Sequence, residues 1–200
     1  MIFLGINLAI WFNNWNTSRK LDQNKAIAIA KIQEEINNNI VELVRARNAN
    51  ASIPAAIENF RNMRSDKYEG TVATSSEMTL YLKEFPGFYT VVDSTVLEPG
   101  LYRYEGDTFI NLELAELTEI AWETSKDMEI ANEFGFDCLY ELENMYNVQR
   151  LVKKEIDKSA EALQSSDISR LERILEFIRQ LDSQLERDYK RMLSNIKICS

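Results

Sequence analysis

A chain of 200 residues, 45% of them hydrophobic, is long enough to bury one sizeable core. It contains no histidine, which removes the commonest general base near neutral pH, the Ser-His and Cys-His nucleophile pairs, and the Glu-x-x-His ligation of di-iron bundles. A net charge of −9 repels phosphate backbones, so nucleic acid is not an expected partner.

Six glycines and three prolines, among abundant Leu, Ile, Glu, Lys, Arg and Ala, predict a mostly helical chain. The first stretch, Ile2 to Phe12, is apolar except for Gly5 and Asn7, and it ends in Trp11, Phe12 and Trp15 set among asparagines. Arg19 and Lys20 follow. Amphipathic rings with cations just beyond them favour the boundary between lipid and water, which makes Trp11, Phe12, Trp15, Arg19 and Lys20 candidate membrane-interface residues. The run is about half of the roughly 20 apolar residues a full span requires. Residues 1–16 therefore read as a partial membrane anchor and 17–200 as a single helical domain. No basic segment precedes the run and no small-residue cleavage site follows it, so it is not expected to be a signal peptide. The competing reading is an amphipathic helix with Leu4, Leu8, Trp11 and Trp15 packed on their own protein.

Ile29, Ile32, Ile36, Ile40 and Leu43 recur every three or four residues and carry the first helix to about Arg47. Pro54 suits the start of a short helix with Ile57, Phe60 and Met63. Gly70 and the Thr/Ser run at 71–76 form an expected loop. Thr74 and Glu77 then have the spacing of a capping box opening a helix near 75–85, which Pro86-Gly87 stops. Phe88 to Val92 has the composition of a strand but no evident partner, and is expected to be a packed loop. Pro99-Gly100 marks a turn. Helices are expected over about 108–125, 138–164 and 168–197, the last two joined by Ser165–Asp167 into an antiparallel hairpin. The expected fold is all-α, an antiparallel bundle with a long N-terminal helix and a terminal helical hairpin.

Charge is unevenly spread. Residues 105–143 hold twelve Asp/Glu against Lys126 alone. Glu113, Glu116, Glu119 and Glu123 could bind Ca²⁺ weakly if grouped on one helix ridge, but no Asp-x-Asp-x-Asp-Gly loop supports this, and a solvated helix face explains the spacing. Trp122, Tyr140 and Tyr146 could line a small-molecule pocket, with ordinary core filling as the alternative. No glycine-rich phosphate loop is present, and two cysteines cannot by themselves build a zinc site, so no cofactor or metal is expected. Cys138 and Cys199 could pair or remain idle thiols.

Asn13-Asn14-Trp15-Asn16 with Arg19-Lys20, and Ala121-Trp122-Glu123-Thr124-Ser125-Lys126 with Tyr146 and Gln149 downstream, resemble elements of a group of uncharacterised bacterial single-pass membrane proteins. That resemblance implies an inner-membrane location with an extracytoplasmic helical domain, although Arg19-Lys20 alone would favour the cytoplasm. It implies no activity. The expected function is non-enzymatic: a membrane-anchored domain for protein interaction or scaffolding, with the lipid bilayer and a second copy of the chain as partners. The alternatives are a ligand-sensing bundle around Trp122 and a hydrolase using carboxylates alone.

Overall fold

The computed structural model describes residues 2–199, with side chains from Trp11 onward apart from Phe12. Six α-helices run in chain order: α1 (Ile2–Asn50), α2 (Ile53–Asn62), α3 (Ser75–Glu84), α4 (Ile120–Asp127), α5 (Phe136–Gln164) and α6 (Ile168–Asn195). Four strands lie between α2 and α4: β1 (Arg64–Ser65), β2 (Gly70–Ala73), β3 (Tyr89–Glu98) and β4 (Leu101–Thr108). The chain divides into two compact units, Met1–Val44 with Ala115–Asp157 and Phe177–Ser200, and Arg45–Leu114 with Lys158–Glu176.

The first unit is helical. No Pro or Gly occurs between Gly5 and Pro54, so α1 runs unbroken. Its seam is buried as the periodicity predicts, with Ile32, Ile36 and Leu43 at 1% exposure or less. Leu142, Met145 and Val152 of α5 and Leu185, Tyr189 and Met192 of α6 complete one apolar core with Trp122 of α4. Burying each such side chain contributes roughly 1.5–3 kcal/mol. Cys138 and Cys199 form a disulfide across a sequence separation of 61, joining the start of α5 to the turn that follows α6.

The second unit corrects the all-α expectation, because it contains a four-stranded antiparallel sheet in the order β1-β2-β4-β3. Phe88–Val92 is not a packed loop. Tyr89 onward forms β3, paired with β4 from Tyr89↔Thr108 to Glu98↔Leu101. Pro99-Gly100 closes this hairpin, with Gly100 in the left-handed region at φ +84. Gly106 is required for another reason: a Cβ there would lie 2.1 Å from the Thr90 carbonyl oxygen. The expected loop at 71–76 supplies β2, which pairs with β4 through Thr71↔Tyr104. The capping box is present as expected, Thr74 Oγ1 accepting from the Glu77 amide at 3.2 Å. Phe60, Tyr81, Phe85, Phe88 and Tyr89 pack as an aromatic cluster, Phe60 and Tyr89 with centroids 4.8 Å apart.

The expected helix at 108–125 is much shorter. Thr108 ends β4, residues 109–119 have no regular structure, and α4 begins only at Ile120. Local apolar spacing there satisfies an irregular strip as well as a helix, because neighbouring side chains supply the backbone partners.

The membrane placement is also corrected. No helix among the described residues is long and apolar enough to cross a membrane, which overturns both the transmembrane anchor and the inner-membrane location built on it. After its apolar opening α1 turns polar from Asn13 onward and continues as an ordinary amphipathic helix.

Candidate functional site

In the first unit, the end of the irregular strip, at Thr118, and the start of α4 are held by a network of side chains from three helices. Glu35 and Asn39 lie four residues apart on α1 and therefore share a face. The Asn39 amide pairs with the Thr118 backbone at both ends: its Nδ2 donates to the carbonyl at 2.7 Å, and its Oδ1 accepts from the amide at 2.9 Å. Gln149 of α5 donates to the same carbonyl at 2.8 Å, and its Oε1 accepts from Asn39 and from the Tyr189 hydroxyl of α6. Buried amides and hydroxyls are stable only when satisfied in this way.

Glu35 caps α4 from another helix. Glu119, at the N-cap position, makes no side-chain cap bond. The Ala121 amide in the first turn instead donates to Glu35 Oε2 at 2.9 Å, and the Tyr146 hydroxyl donates to Oε1 at 2.7 Å. A carboxylate at a helix N-terminus is favoured by the exposed amides there and by the helix dipole. Glu35 is only 7% exposed. Burial, followed by the neighbouring Glu35 charge, holds the Tyr146 phenol well above the usual tyrosine range. Burial does the same to Tyr189, partly offset by its bond to Asn39.

Of the expected pocket aromatics, Trp122 and Tyr146 come together and Tyr140 does not. Trp122 stacks on Tyr146 with centroids 5.8 Å apart and on Phe134 at 6.5 Å, and both Trp122 and Tyr146 are essentially fully buried. Tyr140 points outward, 63% exposed, against Phe136. The Trp122 indole N–H has no acceptor among the described residues. The space around Trp122 is thus filled by core.

The opening lies elsewhere on α4. A groove of about 480 Å³ runs between α1 and α4. Ile27, Ala28, Ile120, Ala121, Met128 and Ile130 form its apolar walls, Asn24, Asn38, Thr118 and Thr124 add polar groups, and Glu35 also lines it. Lys31 and Glu34 stand at its rim, paired at 2.7 Å. Sequence reasoning missed this groove. Ile27 carried no visible signal beyond being an apolar residue off the main stripe of α1.

The acidic middle is neutralised in part within the first unit. Arg150 contacts Glu119 at 3.0 Å and Glu143 at 3.1 Å, while Lys126 reaches Glu123 at 2.8 Å. Glu113, Glu116 and Glu119 lie in the irregular strip and share no helix ridge. Among the described residues, no three His, Cys, Asp or Glu side chains are grouped to hold a metal ion.

Of the expected interface residues, Trp11 and Trp15 are exposed at 60% and 47%, with the Arg19 guanidinium 5.5 Å from the Trp15 ring centroid. Lys20 is also exposed, and the side chain of Phe12 lies outside the described residues. In comparisons with known proteins, no family model matches the chain, and no curated protein or solved structure matches it.

Proposed function

We propose that this protein is a non-enzymatic binding domain that takes a small, largely apolar ligand into the groove between α1 and α4. The supporting observation is the groove itself: about 480 Å³, walled by apolar side chains, with Ile27, Ile120 and Met128 exposed at 61%, 70% and 62%. Small-molecule sites have this size and this mixture of apolar walls with few polar groups. The buried network from Asn39, Gln149, Tyr146 and Glu35 fixes the α4 wall, so the site is preorganised rather than formed on binding.

The test is titration with the neutral fluorophore N-phenyl-1-naphthylamine. Saturable binding is expected, weakened at least tenfold by Ile120→Asp with helical content and melting temperature preserved. Binding that Ile120→Asp leaves unchanged would overturn the proposal.

A second reading, protein docking including a second copy of this chain, is favoured by the same exposed rim, since apolar patches of this kind are often covered by partners. Light scattering showing a dimer that Ile120→Asp dissociates would select it.

A further inference from the structure

We infer that the groove's ligand is an organic ammonium ion, an amine cation on an apolar body, with its charge seated against Glu35. This inference rests on the reading of the groove as a small-molecule site and adds the chemical class. Glu35 is a groove-lining carboxylate at 7% exposure. Its oxygens accept one hydrogen bond each, from the Tyr146 hydroxyl and from the Ala121 amide, and each keeps a second lone pair. Both donors are dipoles, and the start of a helix supplies only about half a unit of positive charge. The ion pairs among the described residues do not include Glu35. Lys31, the cation nearest along α1 within the groove, is engaged with Glu34 at the rim.

A carboxylate so far removed from water, without a cation, carries a desolvation cost that an incoming cation offsets. The same field disfavours anionic ligands. Thr118, Thr124 and Asn38 also line the groove and provide oxygens for the remaining N–H groups of an ammonium ion. Ile27, Ile120 and Met128 provide a wall for an aromatic or alkyl body.

The experiment compares two nearly isosteric probes on the full chain by calorimetry: 2-(2-naphthyl)ethylammonium and the neutral 2-(2-naphthyl)ethanol. The ammonium is expected to bind at least tenfold more tightly, and Glu35→Gln is expected to shrink that preference, read as the ratio of the two affinities in the same variant, below threefold. Equal affinity in the unaltered protein overturns the ammonium inference and leaves the apolar groove standing. Failure of both probes overturns both readings. Should Glu35→Gln not fold, nuclear Overhauser contacts decide the matter in the unaltered protein: contacts from the ammonium's methylene groups to the Ala121 methyl group and the Glu35 side chain support the inference, and their absence despite binding overturns it.

Discussion

At the scale of single residues, the buried polar groups carry the sharpest expectations. Tyr146→Phe removes the hydroxyl that donates to Glu35 and leaves that carboxylate one partner short. The loss should be about 1–3 kcal/mol in a denaturant titration, with little change in helical content. Tyr146 and Tyr189 also set an alkaline limit. Burial raises both phenols in the folded state, so the unfolded chain releases these protons first. Their contribution is fully present below about pH 10 and falls as pH rises beyond it, by up to ~1.4 kcal/mol per pH unit for each phenol. Ultraviolet absorbance of tyrosinate and far-ultraviolet circular dichroism should show these two ionising together with unfolding. Ionisation while the fold persists would contradict the burial argument. Little of this was legible in the sequence. Asn39 looks like any polar residue of a helix, Gln149 stood out only through the resemblance, and what both do depends on a Thr118 backbone that is distant in the chain. Trp122 and Tyr146 could be singled out, with core filling as one of their readings, but not the stacking of one ring on the other.

Among the elements, the helices were the most legible. Repeated apolar spacing marks α1, α5 and α6, and Thr74 with Glu77 marks the start of α3. The sheet was harder to see because its signals are non-local: β2 pairs with β4 across α3 and β3. The β3–β4 hairpin had a local signal, two β-branched and aromatic runs flanking Pro99-Gly100, but Phe88–Val92 taken alone shows no partner. Two changes test these elements. Gly106→Ala places a methyl group against the Thr90 carbonyl and should lower stability by about 1–3 kcal/mol, since neither strand can move without breaking the ladder. A variant that is as stable as the parent would mean that β4 does not pass so close to β3. Replacing Cys138 and Cys199 with serine releases the link across 61 residues and should cost roughly 4 kcal/mol on the loop-entropy model. Denaturant titration with and without reductant reads this directly, and reductant should reproduce the effect of the double replacement.

For the whole molecule, the lack of histidine and the scattered glycines are enough to set aside several chemistries. They give no sign of a groove. That feature depends on α4 being short and starting at Ile120, which follows from how Asn39 captures the preceding strip and Glu35 caps the first turn of the helix. The account therefore stands on ligand entry between α1 and α4. Its most direct measurement is a methyl spectrum of the full chain, isotope-labelled at isoleucine and methionine, during titration with N-phenyl-1-naphthylamine. Saturable shifts centred on Ile27, Ile120, Met128 and Ile130 are predicted, with Ile53, Ile57 and Ile110 of the second unit unmoved. Shifts centred on those second-unit methyls, or no saturable shift at all, would contradict it.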